Sequence, residues 1–305
     1  MVGIKSIAYY IPERKRSNYN LKEKFQIDDS FIESRIGIKE VALKEENEEA
    51  SDLCVKAYEE LTGNTGINID NIDCIVVVTQ NPDYNIPHTS AIVHGKLGAK
   101  ETCACFDVSL GCSGYVYGLS VIKSFMEGNG FSNGLLFTGD PYSKNINPED
   151  KNTYLLFGDA ASVTWMAEDF TYEIAKTDFG TMGKDHAELI CDGKISMNGR
   201  AIFNFAARKV PGSVKKALKI NDTEITNIDF VIFHQGSKYI VDTLSGFLKL
   251  NEDKAPFDIA DYGNTVSSSI PIILAKNFEN NKKNILITGF GVGLSWATTI
   301  LKHKN

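Results

Sequence analysis

Short runs of β-branched and aliphatic residues recur along the chain, and between them apolar residues return every three or four positions. The runs predict buried strands over residues 4–10, 74–79, 135–139 and 161–166, then over 230–233, 285–288 and 294–301. The longer-period stretches predict helices near 50–61, 89–97, 112–127, 204–218, 237–249 and 267–277. Strands alternating with helices indicate an α/β architecture. No stretch is rich enough in Pro or Gly and Ser to act as a flexible linker. The acidic run Glu45 to Glu49 reads as a solvated loop ahead of a helix.

The two groups of strands resemble each other. Asn71-Ile72-Asp73 leads into the run from Cys74, and Asn227-Ile228-Asp229 leads into the run from Phe230. Asn133 to Gly139, ending Phe-Thr-Gly, parallels Asn284 to Gly289, ending Ile-Thr-Gly. Each set closes on a strand carrying a tryptophan, Trp165 or Trp296. One such match means little, but three in the same order indicate a duplicated α/β unit. We expect halves at residues 1–168 and 169–305, with a cleft between them that draws side chains from both.

Composition narrows the class. The 305 residues are 43% hydrophobic and 23% charged, which is globular and excludes a disordered or fibrous chain. Lys plus Arg number 32 against 39 Asp plus Glu, a net charge of −7 that argues against a duplex nucleic-acid binder. The N-terminus lacks a basic segment followed by an apolar run, so no signal peptide is expected. No apolar window is long enough to span a bilayer, and a cytoplasmic location is expected. The six cysteines contain no C-x-x-C pair and are expected to be reduced thiols. Cys103 and Cys105, two apart, read as small buried residues rather than a soft-metal site.

Four polar turns could carry chemistry. Cys112 lies in Ser109-Leu110-Gly111-Cys112-Ser113-Gly114, where a strand gives way to a helix. A thiol at a helix N-terminus feels the positive end of the helix dipole, which lowers its pKa and favours a nucleophile. The alternative is a small residue at a close helix–strand crossing. Among five histidines, His234 alone follows a buried strand directly, in His234-Gln235-Gly236-Ser237. That is where α/β sites lie, although a satisfied rim histidine fits equally well. Asn264, in Tyr262-Gly263-Asn264-Thr265, offers a side-chain amide or a simple helix cap. Gly289-Phe290-Gly291-Val292-Gly293 offers backbone N–H groups to an oxyanion, or is only a tight hairpin.

Taken together, these turns resemble the thiolase superfamily, and within it the β-ketoacyl-acyl-carrier-protein synthase III family. The family's nucleophile segment is matched by Phe106 to Leu119, and its His-Gln-Ala-Asn motif by His234-Gln235-Gly236-Ser237. Its Gly-Asn-Thr motif is matched by Gly263-Asn264-Thr265, and its Phe-Gly-Gly-Gly turn by Phe290-Gly291-Val292-Gly293. Phe157-Gly158-Asp159-Ala160-Ala161 and Ser34-Arg35-Ile36-Gly37-Ile38 extend the match in order along most of the chain. The resemblance implies a thiolase-like fold: two pseudo-duplicated α/β halves in α-β-α-β-α layers, the first carrying the nucleophile, the second His and Asn.

It also implies a two-step reaction without metal or redox cofactor. Acyl-CoA would acylate Cys112; malonyl-acyl carrier protein would lose CO₂, and its enolate would attack the thioester. His234 and Asn264 would stabilise the enolate, and the N–H groups of Cys112 and Val292 would hold the tetrahedral oxyanion. Substrate contacts carried over are Phe31, Arg35, Lys151 and Ser237, with Ile86 reaching the acyl pocket of the partner in a homodimer. Several positions depart from the family pattern. Ser237 replaces the motif's last Asn, and Val292 replaces a Gly. Phe31 and Lys151 replace the Trp and Arg that sandwich the adenine, and Asn204 replaces a Lys. Lys is a poorer planar partner than Arg. Two other functions remain: transfer of the Cys-bound acyl group to an amine or hydroxyl of a small metabolite, and a non-catalytic binding subunit. Retention of Cys112 disfavours the second.

Overall fold

The computed structural model describes residues 1–280 and 282–304. Ten strands join in one mixed sheet. From one edge the path runs through Phe230–Phe233, Asn284–Gly291, Ser295–His303 and Tyr172–Ile174. It continues through Gly3–Tyr10, Ala161–Ala167, Asn133–Gly139 and Cys74–Val78 to Ala104–Val108. Asp178–Thr181 pairs with Ser295–His303 off this path. The two halves of the sheet meet through a single pairing, Ile4 with Tyr172.

The sequence repeat reappears as a pairing pattern. Cys74–Val78 runs parallel to Asn133–Gly139, which runs antiparallel to Ala161–Ala167. Phe230–Phe233 likewise runs parallel to Asn284–Gly291, which runs antiparallel to Ser295–His303. Every residue of Cys74–Val78 and of Phe230–Phe233 is buried, as strands covered on both faces require. The outer strand Ala104–Val108 has no counterpart in the second set among the described residues.

Helices form three layers around these strands. Ala50–Thr65 and Thr89–Leu97 cover the first set on one side, and Gly199–Ile220 and Lys238–Leu248 cover the second set on the other. Between them, Gly114–Asn129 and Ser269–Lys276 touch strands of both sets. Their Tyr115, Leu119, Ile122, Ile270 and Ile273 share one core with Val76, Val78, Ile232 and Ile287. The order is α-β-α-β-α.

The inner helix sits where it does because the face it turns to Val78 is bare. A Cβ on Gly114 would overlap Val78 Cγ1, and one on Gly118 would lie 2.9 Å from Val78 Cγ2. Four residues apart, the two glycines share a helix face and let the backbone rest on the strand. This brings the preceding residue pair, Cys112 and Ser113, against the second set, where Ser113 Oγ meets Ser295 Oγ at 2.8 Å.

Predicted and observed elements agree in kind and differ at their ends. The helix expected from Cys112 starts at Gly114, and the helix expected from Asn204 starts at Gly199 and continues through Pro211 to Ile220. The strand expected from Leu294 begins at Ser295. Among the described residues, no helix is long and apolar enough to cross a membrane.

Candidate active site

Cys112, His234 and Asn264 line one cavity of 640 Å³ with Phe31, Arg35, Asn204, Ser237 and Gly291. They arrive on four separate turns. Cys112 precedes the inner helix Gly114–Asn129, and His234 follows the buried strand Phe230–Phe233. Asn264 pairs with Phe157 in an isolated parallel bridge, its N–H donating to Leu156 O at 2.8 Å. Val292 is in the hairpin that joins Asn284–Gly291 to Ser295–His303, so the glycine-rich turn is a tight hairpin and a lining element at once.

That hairpin closes on the sulfur. A Cβ on Gly291 would lie 2.8 Å from both Cβ and Sγ of Cys112. Only a glycine there lets the backbone come so near the thiol. The backbone N–H groups of Val292 and of Cys112 itself lie near enough to the thiol to favour its charged form.

The thiol is not acidic at rest. Burial pushes Cys112 up to about 12, with the Val292 and Cys112 N–H groups pulling the other way and Asp140 adding to the rise. This corrects the expectation of a lowered pKa from a helix N-terminus. Cys112 precedes the first helical residue by two and is only 5% exposed, so loss of water outweighs the helix dipole.

His234 is 3% exposed, and burial pushes its imidazole down to about 3. The ring is neutral at neutral pH. Its Nδ1 lies 2.8 Å from Ser269 Oγ, and the ring packs edge-on against Phe290. Asn264 is 4% exposed. Its Oδ1 accepts the Val266 N–H at 2.9 Å, which orients the amide and leaves its NH₂ group as the donor for the cavity.

Of the substrate contacts that the resemblance implies, Phe31, Arg35 and Ser237 line the cavity, and Lys151 and Ile86 do not. Lys151 Nζ lies 5.6 Å from the Phe31 ring centroid, so the pair is assembled, though Lys151 does not line the cavity itself. Arg35 stands 5.6 Å above the Tyr239 ring, which stacks on Phe203. Ser237 lines the cavity and also caps the helix Lys238–Leu248, accepting the Ile240 N–H at 3.4 Å. Ile86 lies apart from the lining and is 85% exposed, in a loop where Tyr84 is also bare. The remaining histidines lie elsewhere: His94 Nε2 meets Lys100 O, and His186 Nδ1 meets Gly183 O. Cys103 is buried just before its strand and Cys105 half-buried within it.

Sequence reasoning passed over Asp140. This carboxylate is fully buried behind the site. It accepts the Gln80 N–H at 2.7 Å and the Ser267 hydroxyl, tying the loop after Cys74–Val78 to the turn that carries Asn264. Burial pushes it up to about 6. No motif marks it, because its role depends on two loops that are distant in sequence. Leu189 and Arg200, also in the lining, carry no local signal either.

Known proteins share this fold. Residues 106–183 match the family described as 3-oxoacyl-[acyl-carrier-protein] synthase III, and residues 218–303 match the C-terminal part of the same family. A β-ketoacyl-[acyl-carrier-protein] synthase III of Streptococcus agalactiae is 33% identical, with 98% of each chain covered. One from Streptococcus pneumoniae is 31% identical over the same shares. A crystal structure of a 3-oxoacyl-(acyl-carrier-protein) synthase III superposes with a TM-score of 0.94 at 30% identity, covering 99% of both chains. The enzyme of that name from Aquifex aeolicus gives 0.93 at 29% identity, covering 99% of this chain and all of the other. The fold, the nucleophile segment and the full-length identity agree, and the chain belongs to the β-ketoacyl-acyl-carrier-protein synthase III family.

Proposed function

We propose that this chain is a condensing enzyme that takes an acyl group from acyl-CoA and joins it to malonyl-acyl carrier protein, giving a 3-oxoacyl-acyl carrier protein. The observation that carries this reading is the meeting of a buried thiol, two backbone N–H groups, a neutral imidazole and a free amide in one cavity.

In the first step Cys112 Sγ adds to the acyl-CoA carbonyl. The developing oxyanion takes the N–H groups of Cys112 and Val292. Collapse breaks the bond to CoA sulfur, and the thiol proton leaves with the CoA thiolate. The high resting pKa keeps the thiol protonated until a carbonyl arrives to draw on those donors. In the second step the malonyl thioester loses CO₂, and the electron pair becomes an enolate. We assign the ring proton of His234 to Nε2, with Ser269 donating to Nδ1. Nε2–H and the Asn264 NH₂ then hold the enolate oxygen. The enolate carbon attacks the Cys112 thioester, and the sulfur leaves as a thiolate that takes a proton from water. A neutral His234 suits this role, since it donates without having to lose a proton.

Arg35 and Arg200 at the cavity lining give an acidic protein a positive entrance, suited to the phosphates of CoA and to the phosphopantetheine arm of the carrier protein. Phe31 and Lys151 would hold the adenine. The exposed Ile86 and Tyr84 favour a homodimer in which that loop borders the partner's acyl pocket. We place the enzyme in the cytoplasm, working without a metal or redox cofactor, with its catalytic groups divided between halves 1–168 and 169–305.

Intact-mass analysis after mixing with acyl-CoAs tests the reading. A thioester should form on Cys112 and be absent in Cys112→Ala. His234→Ala should keep the adduct and lose the 3-oxoacyl product. An adduct that passes to an amine or alcohol, with malonyl-acyl carrier protein left unused, would establish the alternative acyl transfer instead. Light scattering that shows a monomer at micromolar concentration would remove the dimer.

A further inference from the structure

Leu189 borders the Cys112 cavity on one side and a second chamber of 350 Å³ on the other. Val292 and Gln80, both in that chamber's lining, lie against Gly111, the residue before Cys112, so the chamber begins beside the nucleophile's turn.

The chamber is two-sided: Leu189, Ile190, Ile195 and Val292 give it an apolar wall, and Gln80, Asn81 and Tyr142 a polar one. Asn81 and Tyr142 are 4% and 5% exposed. Gln80 reaches the nucleophile's own turn: its Oε1 would lie 2.6 Å from a Cβ on Gly111. Both amide oxygens are engaged within the protein. Gln80 Oε1 faces the Tyr142 hydroxyl at 3.4 Å, and Asn81 Oδ1 accepts from Asn145 Nδ2 at 2.7 Å. The NH₂ groups of Gln80 and Asn81 are the halves left over, so the wall presents donors. No charged side chain lines the chamber, so a carboxylate would find no counter-ion. A hydrocarbon would pack on the apolar wall but strip water from the donors and leave them unpaired.

We propose that this enzyme selects a short acyl-CoA whose tail carries a neutral oxygen acceptor, an oxo, hydroxy or ether group, with Gln80 and Asn81 as its specificity residues. The inference rests on the proposed acylation of Cys112. The Cys112 sulfur forms the new thioester bond, the bond to CoA sulfur breaks, and the tail oxygen only accepts hydrogen bonds.

Two pairs of thioesters matched in heavy atoms test it: acetoacetyl-CoA against isovaleryl-CoA, and methoxyacetyl-CoA against butyryl-CoA. The readout is the rate of Cys112 adduct formation by intact mass. The oxygenated member of each pair should react roughly tenfold faster or more, because its partner leaves buried donors unpaired. Gln80→Met keeps the side-chain length and removes both amide groups, so it should cut each ratio by about tenfold. Comparing ratios between wild type and variant cancels the intrinsic reactivity of the thioesters. Asn81→Leu, checked for folding by its melting curve, should shift the ratios the same way. Equal or faster reaction of the hydrocarbon members, or ratios unchanged in Gln80→Met, overturns the proposal while leaving the condensing enzyme intact. No adduct with any of the four overturns both.

Discussion

Gly291→Ala puts the site's closest approach under direct test. The added methyl would lie 2.8 Å from Cβ and Sγ of Cys112. Ordinary contact needs about 3.5–4.0 Å, so roughly 1 Å must be found. The strand cannot supply it easily. Asn284–Gly291 is buried beyond its first residue and paired along its length with Ser295–His303, and on its other side with Phe230–Phe233 as far as Thr288. The displacement therefore falls on the Cys112 side chain and carries Sγ away from the Val292 N–H. A shift near 1 Å at a reacting atom costs about a hundredfold in rate, or about 2.7 kcal/mol of barrier. Overpacking should cost a further 1–3 kcal/mol or so of stability. Gly246→Ala is the control: it lies in the helix Lys238–Leu248, and an added Cβ there meets nothing within 4 Å. It should gain about 0.5–1 kcal/mol, as Ala replaces Gly in a helix. The assay is the rate of Cys112 acylation by intact mass, with urea melts for both variants. A Gly291→Ala enzyme that acylates at the wild-type rate refutes the claim that this backbone position sets the sulfur.

Asp140→Asn should change the protein's stability in a pH-dependent way. The folded carboxyl titrates near 6 rather than 3.8, so its favourable contribution exists at low pH and is lost as pH rises past 6. The variant's stability relative to wild type should be about 3 kcal/mol better at pH 8 than at pH 3.5 in urea melts, and a flat difference would refute this. His234 runs the other way: its folded pKa near 3 against 6.5 means stability is full above pH 6.5 and falls as the solution is acidified towards pH 3. Wild type should lose about 2 kcal/mol between pH 7 and pH 5 that His234→Asn does not lose. Phe31→Ala should raise the KM for acyl-CoA roughly tenfold with kcat little changed, since it removes a stacking face. Lys151→Arg should lower that KM, and a change confined to kcat would remove the pair from CoA binding.

The order of elements, the internal repeat and the family were legible in the linear chain, because each rests on local pattern. Buried strands need consecutive apolar residues, and helices need apolar residues at a longer period. The turns of a catalytic site need a few residues of fixed type next to one another. Cys112, His234 and Asn264 each sit in such a turn, directly after a strand or in a tight turn before a helix, and could be named before any fold was known. What the chain could not state is how the turns face each other. That Cys112 rests against Gly291 depends on Gly114 and Gly118 letting the inner helix sit on Val78, a contact between separate segments. The thiol's pKa was misjudged for the same reason: a helix start is visible in sequence, but the protein packed over it is not, and burial decides the sign. Asp140 and the donors of Gln80 and Asn81 were invisible because their surroundings come from residues far along the chain. Local chemistry is written in neighbouring residues, whereas burial, which sets charge state and selectivity, is a property of the packed whole.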